Sequence, residues 1–485
     1  MNLKNLAGAI IILLIAAVPL FGHLSELPIQ RWDESRLAAT AYEMSVNNNW
    51  LVPYHFGHPE MISVKPPLQI WFMAVSIKIF GANELAVRLP SAIFALLTCL
   101  FIYWFLTIKM QKQVWGILAA AILVICDGYV HLHCSRTGDY DTLLTLLTTI
   151  FLFYSYLFIR DGGAKYIVIA AIAITLACFT KGVAALMFIP GVFICFAYSG
   201  RLKKLFSSPA FYAGIAIFVI VIPGYYLLRE QLTPGYLESV SKNELGGRFM
   251  ATLENHYQPW YFYLSRLIER EHAWFFISIL AIPLVLIYKH NTTKQFVLYL
   301  ATATVTFLFF ISVAGTKLDW YSMPLYPLLV VMAAITIETI FSKLKPGANY
   351  LLQTLRVAFI FLLCSLYIYS YNKILAKTQK PDYQLNDPEF AIGRYLTELH
   401  KGNRGTGKFI MLYSDFEQDM VWYDLIDSNI FFKSVKELAT GDTVIAYKNE
   451  SIDVLEDKYH HTLLEEFFRI RLYRIDSPKA VITPQ

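Results

Sequence analysis

Charge is what this sequence has least of. Asp, Glu, Lys and Arg supply 16% of its 485 residues, while hydrophobic residues supply 56%. A soluble domain carries about a quarter charged residues, so a soluble globular class is excluded and a membrane class is indicated. The mean hydropathy of +0.47 points the same way. The formal net charge of +5 is small for this length and gives no footing to a nucleic-acid partner. Cysteine is rare as well. Cys99, Cys126, Cys134, Cys178, Cys195 and Cys364 lack metal-ligand spacing and read as buried packing residues. No internal repeat or low-complexity tract is evident, so the paired half-domains common in transporters are missing.

What the chain does have is long apolar runs. About eleven have spanning length, near 6–24, 85–108, 114–130, 142–159, 166–179, 183–198, 210–228, 273–288, 295–313, 321–341 and 352–371. The first follows Lys4 and has no convincing small-x-small cleavage site, so it reads as an anchor. Alternate loops are short and basic: Lys109 with Lys112, Arg160 with Lys165, Arg201 with Lys203 and Lys204, Lys289 with Lys294, Lys343 with Lys345. This positive-inside pattern predicts a cytoplasmic amino terminus and an outer face for the loops between. After residue 371 the composition turns polar. Strand-like runs at 408–413 and 442–447, with helical patterns at 388–400 and 451–459, predict a small extracytoplasmic α/β domain over 372–485. The membrane domain is expected over 1–371.

The outer loops hold the unusual residues. Arg31-Trp32-Asp33-Glu34-Ser35-Arg36 follows the first apolar run directly, and Val64-Lys65-Pro66-Pro67 precedes the short run Leu68–Phe80. That run is too short to span and reads as an interfacial or re-entrant helix within an outer juxtamembrane region, 25–84, with Pro67 in its first turn. Further outer groups are Arg136 with Asp139 and Asp141, Lys181, Glu244 with Arg248, His256, and Lys317 with Tyr321. Charge at a membrane edge costs free energy, so its concentration on one face marks function. Cations suit a phosphate. Carboxylates suit a base for a hydroxyl or amine, or a divalent metal site. One cation alone could merely snorkel to headgroups. All together on one face, they predict transfer of a group from a lipid phosphate carrier.

These residues occur in an order that resembles the bacterial GT-C glycosyltransferases. The series is Asp33-Glu34, Lys65-Pro66-Pro67, Arg88-Leu89-Pro90-Ser91, Arg136 to Asp141, Thr180-Lys181-Gly182, Gly247-Arg248-Phe249, His256 to Tyr261, and Thr316-Lys317-Leu318 with Tyr321 and Pro324. Over residues 1–345 it is most similar to the branch shared by lipid A aminoarabinose transferases and the protein O-mannosyltransferases. The resemblance implies a GT-C-like helical bundle that moves a sugar from a polyprenyl phosphate, such as undecaprenyl phosphate, to a lipid, glycan or protein outside the cytoplasmic membrane. It implies Asp33 as the principal catalytic carboxylate, with Asp141 or Asp139 as the second acid and Glu34 beside them. Lys65 and Arg248 become donor-phosphate ligands and Tyr321, near Lys317, a further contact; Arg136 and Lys181 join this cationic set.

Two positions depart from that branch. Val64 stands where a glutamate usually precedes Lys-Pro-Pro, and Leu245 stands where a histidine usually lies three residues before the arginine. Both are associated there with a metal, so no metal cofactor is expected at that place; His256 and Glu244 are left as candidate ligands of a divalent ion. The departures also weaken lipid A as the acceptor. The expected function is an integral-membrane glycosyltransferase of the cell envelope. The rival class is a transporter or flippase of a lipid-phosphate headgroup, which would carry its charges near the bilayer midplane.

Overall fold

Apolar runs in hydrocarbon fold as helices because each backbone N–H and C=O must be satisfied within its own segment. In the computed structural model, residues 3–31, 33–130, 133–249, 258–284, 291–343, 349–379, 388–404, 407–415 and 418–479 are described. The chain is a multi-pass membrane protein. In order, its helices begin with α1 (Leu3–Phe21), α2 (Asp33–Asn47), α3 (Leu68–Phe80), α4 (Glu84–Trp104), α5 (Gln113–Leu123), α6 (Asp141–Asp161), α7 (Ala164–Lys181) and α8 (Ile189–Tyr198). They continue with α9 (Leu202–Phe206), α10 (Pro209–Leu232), α11 (Tyr236–Val240), α12 (Phe262–Leu284), α13 (Asn291–Val313), α14 (Tyr326–Lys343) and α15 (Asn349–Gln379).

Eight runs among the described residues are long and apolar enough to cross a membrane, against the eleven expected. The reasons are local. The segments at 166–179 and 183–198 form one 35-residue run, in which α7 and α8 are joined by a 3-10 stretch, Gly182–Phe188. Gly182 supplies the bend with φ of 57°. The run expected at 114–130 stops being helical at Leu123. Beyond it, Gly128 packs so closely on Tyr326 that a side chain there would strike the hydroxyl. Of the run expected at 273–288, residues 273–284 form the second half of α12, whose first half carries Arg266, Glu269, Arg270 and Glu271, and the rest lies outside the described residues. Of the cysteines, five are buried as expected, but Cys364 is exposed because α15 turns its surface outward.

The helices sort their ends by charge. Arg160 donates to the Lys109 carbonyl at 3.0 Å and Arg201 to the Arg160 carbonyl at 3.3 Å, while Gln113 donates to the Lys4 carbonyl at 3.0 Å. The loops of Lys109, Arg160 and Arg201 therefore share one end of the bundle with the start of α1. At the opposite end α1 finishes, α4 and α6 begin, and α2 and α3 lie across the mouth. Helix α3 spans the residues read as the short outer helix, with Pro67 capping it. It is held by the Trp71 indole donating to the Trp50 carbonyl at 2.6 Å.

On that same end sits a small domain of α16 (Pro388–His400), α17 (Gln418–Ile426) and α18 (Asn449–Lys458) with a five-stranded sheet. Its strands are β3 (Phe409–Leu412), β4 (Ile430–Lys433), β5 (Thr443–Ala446), β6 (Tyr459–Phe467) and β7 (Ile470–Pro478), after a minute hairpin of β1 (Tyr54–His55) and β2 (His58–Pro59) upstream. The sheet order is β4-β3-β5-β7-β6, with β3 parallel to β4 and β5, and β7 antiparallel to its neighbours. Tyr423 of α17 docks the domain, accepting from the Ile29 N–H at 3.2 Å and donating to Glu84 at 3.3 Å.

The mouth is tied by one buried ion pair. Arg88 Nε and Nη2 meet the two Glu34 oxygens at 2.8 and 2.9 Å, with both side chains 1% exposed. Removing one partner of such a pair strands a buried charge and costs about 3–5 kcal/mol. Glu34→Gln is therefore expected to lower the thermal unfolding temperature in detergent sharply, and Glu34→Gln with Arg88→Met to recover part of it. An unfolding temperature unchanged in the single variant would show that the pair does not hold this end together.

Candidate active site

The site is assembled from helix ends. Asp141 is the first residue of α6 and Lys181 the last of α7, so each lies where its helix meets the mouth. Thr316 and Tyr321 come from the connection between α13 and α14. Lys65 enters from the loop before α3, where two following prolines favour an extended backbone. Glu244 comes from a π-helical segment, Ser241–Phe249, a geometry frequent at functional sites. These six line one partly open cavity together with Leu144, Val183, Ala184, Met187, Phe307, Ile311 and Ala314. One end of the cavity is charged and the rest of its wall is apolar.

Pairing at the charged end is tight. The Lys181 ammonium lies 2.6 Å from both Asp141 oxygens and 4.8 Å from the Tyr321 ring centre. The Lys65 ammonium lies 3.3 Å from Glu244 and 5.3 Å from the Tyr140 ring centre. Both cations are buried, a position that a charged ammonium holds only beside a counter-charge.

Two further acids do not line the cavity but act electrostatically on this end. Asp139 is buried; its Oδ1 accepts from the Tyr140 N–H at 2.6 Å and its Oδ2 has no partner among the described residues. Burial, then the charges of Asp141 and Asp33, push its carboxyl well above the usual carboxylate range. Asp33 opens α2, half-buried, where the helix N-terminus favours a negative charge. No ion pair holds it among the described residues, and its charge bears on Asp139, Tyr140 and Asp141.

The remaining sequence candidates lie elsewhere. Glu34 is saturated: besides Arg88 it accepts the Gly138 N–H at 2.8 Å and the Gln30 N–H at 2.7 Å. Arg136 points back to α1, donating to the Pro19 and Gly22 carbonyls at 2.7 Å each. Lys317 donates to the Ala314 carbonyl at 2.7 Å and does not line the cavity. Arg248 belongs to the π-helical segment, but its side chain lies outside the described residues, as does His256. Glu244, the other candidate metal ligand, pairs with Lys65. No three His, Cys, Asp or Glu side chains converge as a metal needs among the described residues.

Sequence reasoning missed Glu60, Arg229 and Tyr236, which pack behind Lys65, and read Arg88 only as part of a motif. The available signal was charge where the chain is otherwise apolar: Arg88 and Arg229 each stand in a membrane helix and must find partners.

Known proteins share this architecture. Residues 64–226 match the family described as dolichyl-phosphate-mannose-protein mannosyltransferase. The undecaprenyl phosphate-alpha-4-amino-4-deoxy-L-arabinose arabinosyl transferase of Yersinia enterocolitica is 29% identical over 343 residues, 68% of this chain and 59% of that protein. Its namesake in Aeromonas salmonicida is 28% identical over 352 residues, 70% of this chain and 61% of that protein. The chain thus spans about three-fifths of the length of the curated relatives it matches. Among solved structures, ArnT from Cupriavidus metallidurans bound to undecaprenyl phosphate superposes with a TM-score of 0.71 at 14% identity, covering 98% of this chain and 99% of that one. The oligosaccharyltransferase AglB of Archaeoglobus fulgidus, with an inhibitory peptide and a dolichol-phosphate, gives 0.56 at 14% identity over 90% of this chain and 65% of that one.

The raised Asp139 carboxyl has a stability consequence of fixed sign. As pH climbs past the ordinary carboxylate value, the unfolded chain releases this proton while the folded chain keeps it, so folding stability falls with pH. Asp139→Asn removes that loss and preserves the acceptor for Tyr140. The variant is expected to match the parent near pH 4 and to gain on it toward pH 8, by on the order of 1 kcal/mol or more. Thermal unfolding across that range reads the difference; a gain that does not grow with pH would contradict a neutral Asp139.

Proposed function

We propose that this chain, a membrane protein with the GT-C fold of the aminoarabinose transferases, moves a sugar from a polyprenyl-phosphate donor to a lipid, glycan or protein acceptor at the outer face of the cytoplasmic membrane. The supporting observation is the cavity itself: Lys65, the Lys181–Asp141 pair and Tyr321 at its polar end, Phe307, Ile311 and Met187 along its wall. That is the outline of a phosphate carried on an isoprenoid tail. The relatives named as undecaprenyl-phosphate sugar transferases, and the ArnT structure with undecaprenyl phosphate bound, carry the same chemistry.

The roles follow by elimination among the acids. Asp141 is neutralised by Lys181, Asp139 keeps its proton, and Glu34 is committed to Arg88 and two N–H groups. Asp33 is the carboxylate left to accept a proton, and it is the base in this reading. The acceptor hydroxyl or amine gives its proton to Asp33 as its oxygen or nitrogen forms a bond to the anomeric carbon. The bond from that carbon to the phosphate oxygen breaks, and polyprenyl phosphate leaves with the electron pair. Lys65 and Tyr321, joined by Arg248 from the neighbouring motif, stabilise the charge that grows on the leaving phosphate. One direct displacement inverts the anomeric centre. Glu34, Arg136 and Lys317 hold the frame and do not touch the donor. The charges gather at one end of the bundle rather than at its middle, which favours transfer chemistry over transport of a headgroup.

The basic loops at the other end support a cytoplasmic amino terminus, with the site and the carboxy-terminal domain outside. Single cysteines introduced at position 57 and position 203 test this: an impermeant thiol reagent on intact cells is expected to label the first and spare the second. The reverse pattern would refute the orientation.

Asp33→Asn is expected to lower transfer by about 100-fold or more while undecaprenyl phosphate still binds. Lys65→Ala is expected to weaken that binding. Turnover by Asp33→Asn close to that of the parent would remove Asp33 from the mechanism.

A further inference from the structure

Glu60 lies outside the cavity lining, yet it joins the helix that supplies the base to the loop that supplies the phosphate ligand. The residue is 4% exposed. Arg36 Nη1 donates to its two carboxylate oxygens at 3.1 and 2.9 Å. Oε1 also accepts the Ile62 N–H at 2.7 Å and the Ser63 N–H at 3.1 Å. The Glu60 N–H donates to the Pro53 carbonyl at 2.8 Å, and its own carbonyl accepts Arg229 Nη2 at 3.1 Å. Arg36 sits three residues after Asp33, one helical turn along α2. Ser63 stands two residues before Lys65. One buried carboxylate therefore connects the helix of Asp33 to the loop of Lys65.

A second set of contacts grips the same loop from behind. Arg229, fully buried in the last turn of α10, lies 4.7 Å from the Tyr236 ring centre. The Tyr236 hydroxyl donates to the Val64 carbonyl at 2.6 Å, and Asn243 donates to the Met61 carbonyl at 3.2 Å. Without these contacts residues 60–67, which belong to no helix or strand, have nothing regular to fix them. Burial acts to raise the Glu60 carboxyl, but the Arg36 charge and the N–H groups of Ile62 and Ser63 outweigh it and hold the group below its usual range. The carboxylate is thus charged at neutral pH.

We propose that Glu60 is a positioning residue: through Arg36 on one side and the Ile62 and Ser63 amides on the other, it sets where the Lys65 ammonium stands relative to Asp33. This rests on the roles given to Lys65 and Asp33 above. A displacement of about 1 Å at such a site costs on the order of 100-fold. The requirement is for a charged acceptor, since a neutral amide gives Arg36 no charge-assisted bond while its one oxygen receives two backbone N–H groups.

The test uses the full chain in detergent, with undecaprenyl phosphate as the probe and its dissociation constant as the readout. Glu60→Gln is expected to weaken binding by about tenfold or more, with the thermal unfolding temperature little changed. Glu60→Asp, which keeps the charge, is expected to restore binding to within about threefold of the parent. If Glu60→Gln does not fold, Arg36→Lys carries the test; it keeps the charge but is too short to bring a nitrogen where Nη1 meets both Glu60 oxygens, and a several-fold loss of affinity is expected. Parent-like affinity in a folded Glu60→Gln or in Arg36→Lys overturns the proposal. So does a loss of affinity in Glu60→Asp that matches Glu60→Gln and tracks a fall in unfolding temperature, since Glu60 would then be only structural. A parent chain that does not bind undecaprenyl phosphate overturns the proposed function instead.

Discussion

One guanidinium organises the mouth of this bundle. Arg88 is fully buried and gives Nη1 to the Leu24 and Leu27 carbonyls at 2.9 and 2.7 Å, Nη2 to the Pro28 carbonyl at 2.7 Å, and its remaining donors to Glu34. Glu34 in turn receives the Gly138 N–H. The linker after α1, the start of α2, the body of α4 and the loop before α6 are thereby fixed to one point. That junction brings Asp33 near Asp139 and Asp141, although more than a hundred residues separate them in sequence. A charge in such a low-dielectric place persists only when every donor is used.

Around that point, neighbouring carboxylates are kept apart electrostatically by different means. Asp141 has a lysine on both oxygens, Asp139 retains a proton, and Glu34 is satisfied by an arginine and two amides. Like charges crowded together cannot all ionise, and among these four acids Asp33 is the one with neither an ion pair among the described residues nor a retained proton. The cations follow the same economy: Lys65 and Lys181 are both buried, and each rests on an acid and an aromatic ring.

Much of this was legible in the chain. Long apolar runs gave the helical bundle, the run Leu68–Phe80 emerged with the bounds expected of it, and two strands and two helices of the small domain were visible as alternation and helical period. Lys65, Asp141, Lys181, Tyr321 and Glu244 were all singled out and all line one cavity. The gaps have physical causes. Hydropathy cannot see that Gly182 bends one run instead of ending it, nor that α5 stops at Leu123. A list of charges cannot tell a group aimed at the cavity from one consumed by a carbonyl, which is why Arg136 and Lys317 looked equivalent to Lys65. Glu60 and Arg229 escaped because their partners lie far away in sequence, and only the folded chain brings Arg229 of α10 to the Glu60 carbonyl.

In the proposed function the cavity accepts a lipid phosphate, polar end first. A cryo-EM structure of the chain with undecaprenyl phosphate tests it most directly. The expected density places the phosphate within hydrogen-bonding distance of the Lys65 ammonium, displacing Glu244, with the isoprenoid chain running past Phe307 and Ile311. Phosphate density among Lys109, Arg160 and Arg201 at the other end of the bundle, with the cavity left empty, would contradict the account.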